Sequence, residues 1–321
     1  MREIIQSGVL GQIVNVDYRE NVSYWHMAHS YVRGNWASEA KSCPMIIAKC
    51  CHDFDILLWM LDDHCLQLSS IGNLLHFRRD NAPAGAPERC LEGCPASETC
   101  PYYAPFVYID LIPLWRTVAD TSTGATHQIM RTQLRSPNLI RHLGRLFPLL
   151  RSVSDYHGWP RSVLTEQPSE EALLEALQVG PYGRCVYHCD NDVVDHQVVM
   201  MEFRSGTSIT LTMHGHSHIE CRTTRIEGSL GSLNAMFSFG GSWIEVQEHR
   251  SNQKTRHNTS SSLQDGHGGG DHGLVEAFIR SLQEEKTEEA KVTARQALES
   301  HLLAFTAEEA RITGKMVDFF G

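Results

Sequence analysis

Between Met45 and Leu61 the apolar residues return every three to four positions. Projected at about 100° per residue, Ile47, Cys50, Cys51, Phe54, Leu57, Leu58 and Leu61 share one face, with Lys49, His52 and Asp53 opposite. That pattern predicts an amphipathic helix. Upstream, MREIIQSG reads as the last turns of a helix stopped by Gly8. GQIVNVDYRENV follows as a strand through Ile13, Val14 and Val16. A chain that opens inside a helix–turn–strand unit reads as one cut from a longer protein. LQLSSIGNLLHF predicts another strand. From Arg78 to about Gly180 the periodicity dissolves into Pro, Arg and turn residues, with short helices expected over Pro137–Leu150 and Ser169–Leu177. The segments VVDHQVVMMEF, TSITLTMHGHSH, RTTRIEGSLGSLNAMF and SWIEVQEHR then alternate in the manner of an antiparallel meander joined by Gly-containing turns. SNQKTRHNTSSSLQDGHGGG reads as a flexible stretch. It leads into helices at Leu274–Leu282 and Thr293–Thr313, with the charged Glu284–Glu289 run as a solvated loop.

This order predicts an α+β fold: one open, largely antiparallel sheet with helices packed on one face. The expectation is a single domain over residues 1–321, carrying an irregular Cys-, Pro- and Arg-rich insertion at about 78–180. The composition, 41% hydrophobic and 21% charged, fits such a globular chain. A net charge of -10 without a basic cluster argues against nucleic acid as a partner. No run reaches the roughly 18 apolar residues of a membrane span. The N-terminus is broken by Gln6, Ser7 and Gly8, unlike an export signal, so a cytoplasmic location with the ten cysteines as reduced thiols is expected.

GQIVNVDYRENV, YVRGNW, KCCHDFDILLWML, NLLHF, NAPAGAPERC, YGRCVYHCDNDVVDHQ, RIEGSLGSL and GGGDHGLVEAFIRSL occur in that order along the chain. Together they resemble the Gfo/Idh/MocA oxidoreductase family, in the part that follows its Rossmann domain. The resemblance implies an α/β domain with an open sheet that shapes a sugar or polyol site and forms a dimer interface. It also implies NAD or NADP as cofactor. A dinucleotide cradle needs G-x-G-x-x-G between a strand and a helix. The Gly266–Gly273 cluster follows a polar tract instead, so no cofactor-binding residue is assigned and that site is expected to lie largely outside this chain.

In the family an acid precedes the site histidine by four residues. Here the histidine is His52, the acid position is Ala48, and Lys49 lies three residues before His52. The candidate catalytic set is therefore His52 as acid or base on a hydroxyl, Lys49 as a cation on the imidazole or on a substrate oxygen, and Asp55 as orienter. A helix face that is merely solvated is the alternative. A second concentration of donors and acceptors suits a hydroxyl-rich ligand: Tyr182, Arg184, His188, Asp192, Asp195, His196 and Gln197, with Arg33 and Trp36 of YVRGNW added as a planar donor and an aromatic platform. An ordinary polar loop explains them equally well. Cys90, Cys94 and Cys100, spaced C-x3-C and C-x5-C with Cys65 or His76 as a fourth ligand, make a loose zinc candidate beside the alternative of packed free thiols. His214, His216 and His218 alternate opposite Ile209, Leu211 and Met213, a row that can chelate a metal or line a wet surface.

The expected function is the substrate-binding and oligomerisation part of an NAD(P)-dependent oxidoreductase acting on a sugar or polyol. Its expected partners are a sugar-like small molecule and a second copy of the chain bound through the sheet. The rivals are a binding or assembly protein without redox chemistry and a metal-dependent lyase or hydrolase.

Overall fold

In the computed structural model, the described residues are 1–167, 169–238, 241–259, 270–283 and 287–319. The chain divides into two compact units. The first comprises Met1–Val22, Cys43–Asn73 and His196–Gly321; the second comprises Ser23–Ser42 and Leu74–Asp195. The insertion expected at about 78–180 falls wholly within the second.

The first unit is built on an open mixed sheet. Its strands are β1 (Ile13–Ser23), β2 (Cys65–Asn73), β3 (His196–Phe203), β4 (Ser208–Ser217), β5 (Cys221–Gly228), β6 (Gly231–Ser238), β7 (Gly241–Glu248), β8 (Lys254–Thr259) and β9 (Val317–Asp318). Their spatial order is β8-β7-β6-β5-β1-β4-β3-β2-β9. The pairings from β5 to β8 and from β4 through β3 and β2 to β9 are antiparallel, as is β1 with β5. Between β1 and β4, Asn15 meets Ser208 and Asn21 meets His214, so those two strands run in the same direction. Period-two alternation decides what is buried. Val16, Tyr18 and Glu20 of β1 point inward, as do Val199, Met201 and Phe203 of β3 and Ile209, Leu211 and Met213 of β4.

Among the described residues, four helices belong to this unit: α1 (Arg2–Gln6), α2 (Met45–Leu61), α3 (Gly270–Gln283) and α4 (Thr287–Thr313). Gly8 ends the first helical turn at φ +76°, where a side chain would be strained. Helix α2 spans the residues its periodicity predicts and closes on Asp62 in the left-handed conformation. It packs against α4, whose buried Ala304, Ala307 and Ala310 let the two backbones approach closely.

Three expectations need correction. Lys254–Thr259 lies inside the stretch read as flexible, yet it forms a strand along β7. Its polar alternation, KTRHNT, lacks the apolar face that flags a strand, because it is an exposed sheet edge. Pro137–Leu150 is two helices, Pro137–Gly144 and Pro148–Ser154, since Pro148 cannot continue the first. Residues Thr287–Glu289 open α4 rather than a loop. The remainder of the Glu284–Glu289 run, and Gly266–Gly269 of the Gly266–Gly273 cluster, lie outside the described residues.

The second unit is largely helical. Tyr24–His26 continues as a π-helix over Met27–Arg33, and further helices cover Ile112–Thr121, Gly124–Arg135, Pro137–Gly144, Pro148–Ser154 and Glu170–Val179. Ser169 caps the last of these by accepting from Ala172 N at 3.2 Å. One core gathers Trp25, Ala104, Val107, Tyr108, Leu177 and Tyr182. A separate one gathers Leu111, Trp115, Ala119, Met130, Ile140 and Val153.

Candidate functional site

Helix α2 carries Lys49 and His52, and the structure gives the two side chains different surroundings. Lys49 Nζ lies 2.8 Å from Glu220 Oε1 and 3.2 Å from Glu20 Oε1. Glu20 is inward-facing on β1 and buried, and its Oε2 lies 2.9 Å from Arg222 Nε on β5. The same Arg222 nitrogen donates to Asp53 Oδ1 at 2.6 Å, and Tyr18 OH donates to that oxygen at 2.9 Å. Three carboxylates, Glu20, Asp53 and Glu220, thus surround two cations, Lys49 and Arg222. Burial is the main force pushing the Glu20 carboxyl up to about 7; Lys49 opposes it, and Asp53 reinforces it. Burial and then Asp53 hold the Tyr18 phenol well above its ordinary value. Burial alone would lower Arg222, but Asp53 and Glu20 outweigh it and raise it.

This cluster corrects the reading of α2. Asp53 does not share a solvated side with His52; it is fully buried on the face of Ile46, Cys50, Leu57 and Met60. Apolar periodicity does not reveal an acid buried among apolar residues by an ion pair. Glu20 was missed for the same reason, although its place in the alternation Val16, Tyr18, Glu20 marks it as inward-facing.

His52 is exposed, with Nδ1 3.5 Å from Cys51 Sγ. Asp55 is half-buried, and among the described residues no hydrogen bond joins it to His52. On the other face of the sheet His196 lies opposite His214 in register. His214 Nε2 is 3.0 Å from Asn21 Oδ1, and burial, with His216, Arg19 and His196 adding, lowers its pKa. The alternation of His214 and His216 against Ile209, Leu211 and Met213 holds, whereas His218 lies past the end of β4.

In the second unit the structure joins Arg33, Arg184 and His188. Arg33 is buried and donates from Nε to Arg184 O at 2.7 Å and from Nη2 to Tyr102 O at 2.8 Å. Arg184 in turn donates to His188 O at 2.5 Å and pairs with Asp190 at 2.8 Å. Tyr182 is buried and stacks on His29, ring centroids 4.8 Å apart. Trp36 is exposed. Asp195 Oδ2 accepts from the backbone N–H groups of Leu75 and His76 at 3.0 and 2.6 Å, and Asp192 accepts from Glu39 N at 2.8 Å. Most of these groups hold loops together. Gln197 is buried in the first unit, donating to Ser70 Oγ at 3.0 Å.

Cys90, Cys94 and Cys100 share a small cavity of about 10 Å³ with Arg33 and Cys185, a thiol the spacing argument did not include. Cys65 lies on β2 of the first unit, and His76 Nε2 is 3.2 Å from Tyr187 OH. Among the described residues no group of three or more His, Cys, Asp or Glu is placed to hold a metal ion, and all ten cysteines are free thiols. Among those residues, too, no glycine-rich turn carries a parallel strand into a helix N-terminus. The described residues therefore do not form a dinucleotide phosphate cradle. No helix is long and apolar enough to cross a membrane among the described residues.

No curated protein matches the chain. Among solved structures, the super-repressor mutant of Gal80p from Saccharomyces cerevisiae matches with a TM-score of 0.51 at 9% identity, covering 99% of this chain and 60% of that one. Levoglucosan dehydrogenase in complex with NADH and levoglucosan matches with a TM-score of 0.50 at 10% identity, over 99% of this chain and 61% of that one. The chain thus spans about 60% of the length of these relatives, and at such identities the likeness is one of fold. Residues 2–69 match the model of an oxidoreductase family, C-terminal alpha/beta domain, that of Gfo/Idh/MocA. The matched residues include β1 and the helix bearing Lys49 and His52, so it is this part of the chain that is similar to the C-terminal α/β domain of the Gfo/Idh/MocA oxidoreductases.

Proposed function

We propose that this chain is the substrate-binding and oligomerisation part of an NAD(P)-dependent oxidoreductase that acts on a sugar or polyol hydroxyl. The observation that carries the reading is that the family match includes α2, where an exposed imidazole, His52, lies one turn from a lysine held by two carboxylates. His52 receives the proton of a ligand hydroxyl, a role an exposed imidazole can take. Lys49, paired with Glu20 and Glu220, supplies an ammonium that stabilises negative charge developing on the ligand oxygen. The cofactor, NAD or NADP by family likeness, takes its phosphate contacts from residues other than those described.

The test is reduction of NAD and NADP by a panel of hexoses, pentoses and polyols at millimolar cofactor. Weak sugar-dependent turnover that disappears in His52→Ala is expected. Turnover unchanged in that variant, or micromolar cofactor binding by calorimetry, overturns the reading.

A second reading, a binding or assembly protein without redox chemistry, is favoured by Ala48 in the family's acid position. Its mark is saturable ligand binding with no turnover at any cofactor level.

A further inference from the structure

Between a 3-10 turn that ends at Asn81 and the π-helix that begins at Pro105, the second unit contains neither helix nor strand. Irregular stretches of that length are uncommon inside a compact unit, and segments without regular structure commonly need a cross-link to stay folded. No disulfide supplies one here, since the cysteines are free thiols. Yet Cys90, Cys94 and Cys100 of this stretch converge on one small cavity with Cys185 and the buried Arg33. All five residues belong to the second unit, so the cluster is independent of the function proposed for α2.

Backbone hydrogen bonds bring the four cysteines together. Cys90 N donates to Gly183 O at 2.9 Å and Cys185 N to Glu88 O at 2.9 Å, while Arg89 and Arg184 form an antiparallel bridge between the same two chain segments. Cys94 and Cys100 sit in successive turns: Cys94 O accepts from Ser97 N at 3.2 Å, and Cys100 N donates to Ala96 O at 2.8 Å. Pro83, Pro87 and Ala96 complete the walls. The cavity, about 10 Å³, is the size of a single water-sized sphere. The thiols stand around this space and are not themselves at coordination distance. Drawing them in to a zinc–sulfur bond of about 2.3 Å takes side-chain rotation on a loop without regular structure.

Arg33 makes an independent demand. It is 5% exposed, and among the described residues no carboxylate pairs with it. Besides two backbone carbonyls its neighbours are the Tyr108 ring, 6.0 Å away, and Cys90 Sγ, 3.5 Å from Nη2; the buried Nη1 has no acceptor. A cation taken out of water calls for an anion beside it. Neutral thiols are no counter-charge, because a free cysteine ionises above neutrality. Four thiols around one divalent ion change that: Zn²⁺ and four R–SH give Zn(SR)₄²⁻ and four protons released to solvent. The complex is the anion that Arg33 lacks. Thiolates select zinc over calcium or magnesium, and no carboxylate lines the cavity to favour those ions. An iron–sulfur cluster is bulkier than a single ion and exceeds the space. We propose that Cys90, Cys94, Cys100 and Cys185 bind one zinc ion in a closed structural site, with Arg33 as its buried counter-cation. With all four positions taken by protein, the ion staples the irregular loop to the segment around Cys185 and offers no place to a substrate.

The test is elemental analysis of the whole chain, purified without chelators or a metal-affinity step. About one zinc per chain is expected. The double variant Cys94→Ser, Cys100→Ser should lose it, and Cys51→Ser, in the first unit, should keep it. Cobalt(II) supplied in place of zinc during expression should give the intense ligand-field and sulfur-to-metal charge-transfer absorption of a tetrahedral thiolate site. That spectrum reads the ligand set in the parent chain, so it serves if the serine variants fold poorly. Arg33→Met should weaken zinc about 10- to 100-fold in competition with a chromogenic chelator, the usual effect of removing a partner that supports the ligands. No bound metal, iron with sulfide in place of zinc, or cobalt without thiolate absorption each overturns the proposal. So does zinc that is retained in the double serine variant, lost equally in Cys51→Ser, or bound with unchanged affinity in Arg33→Met.

Discussion

Arg222 Nε lies 2.6 Å from Asp53 Oδ1, joining the helix that carries His52 to the strand beside β1. Asp53 is fully buried, and the guanidinium it shares with Glu20 is what makes its burial tolerable. Removing one partner of a buried pair leaves an uncompensated charge, which costs about 3 to 5 kcal/mol. Arg222→Ala should therefore lower the melting temperature by roughly 10 °C, and Asp53→Asn by less. Thermal unfolding followed by circular dichroism measures both; an Arg222→Ala protein as stable as the parent contradicts this account.

The two units should respond to pH in opposite senses. Burial lowers His29 to about 3, helped by His26 and Arg33, while in the unfolded chain it titrates near 6.5. Between these values the unfolded chain binds a proton that the native one does not. The contribution is full above about 6.5 and is lost as pH falls toward 3, by up to about 1.4 kcal/mol per pH unit. Glu20 is raised from 4.5 to about 7, so its contribution is full below 4.5 and lost as pH rises through about 7. Hydrogen exchange resolved by segment should show acid weakening around Tyr108 that His29→Gln removes. It should also show weakening of β1 toward neutral pH that Glu20→Gln removes.

All ten cysteines should alkylate after denaturation without reductant, because none is bridged. In the native state Cys50 and Cys65 should react far more slowly than Cys51, since both are buried and burial raises their thiols: strongly for Cys50, to about 12 for Cys65. Mass spectrometry of the alkylated protein counts them, and any native disulfide refutes the prediction.

We expect the chain to self-associate through the open face of its sheet. Ile71 of β2 and Met200 of β3 are exposed there, on the face opposite the buried Val199. Exposed apolar groups gathered on one face mark interfaces. Light scattering at micromolar concentration should give more than the 36.1 kDa of one chain. The double variant Ile71→Lys, Met200→Lys should shift it toward monomer.

What the sequence made legible follows from periodicity. Helix α2 was readable to the residue because Phe54, Leu57 and Leu58 repeat at helical spacing, and β3 to β7 because their apolar residues alternate. Elements without an apolar face escaped: β8 is wholly polar, and its strand geometry comes from pairing with Trp243 to Gln247. The site was legible where it is exposed, at His52, and hidden where it is buried. Glu20, Asp53, Glu220 and Arg222 lie far apart in sequence, and only folding makes them one ion cluster. The opposite error befell Arg33 and Asp195, whose polar character suggested ligand contact when they serve backbone groups instead.

The place of β1 in the sheet has a consequence for synthesis. Its neighbours are β4 and β5, and Asn21 Nδ2 donates to Cys221 O across 200 residues of chain. At about 5 to 20 residues per second, β1 emerges from the ribosome roughly 10 to 40 s before either partner exists. During that interval the helical unit encoded between them can fold on its own contacts, while the first strand waits with both edges open. Pairing that is delayed in this way exposes a strand to aggregation and to chaperones, so the yield of soluble protein should depend more on temperature and expression rate than its final stability suggests.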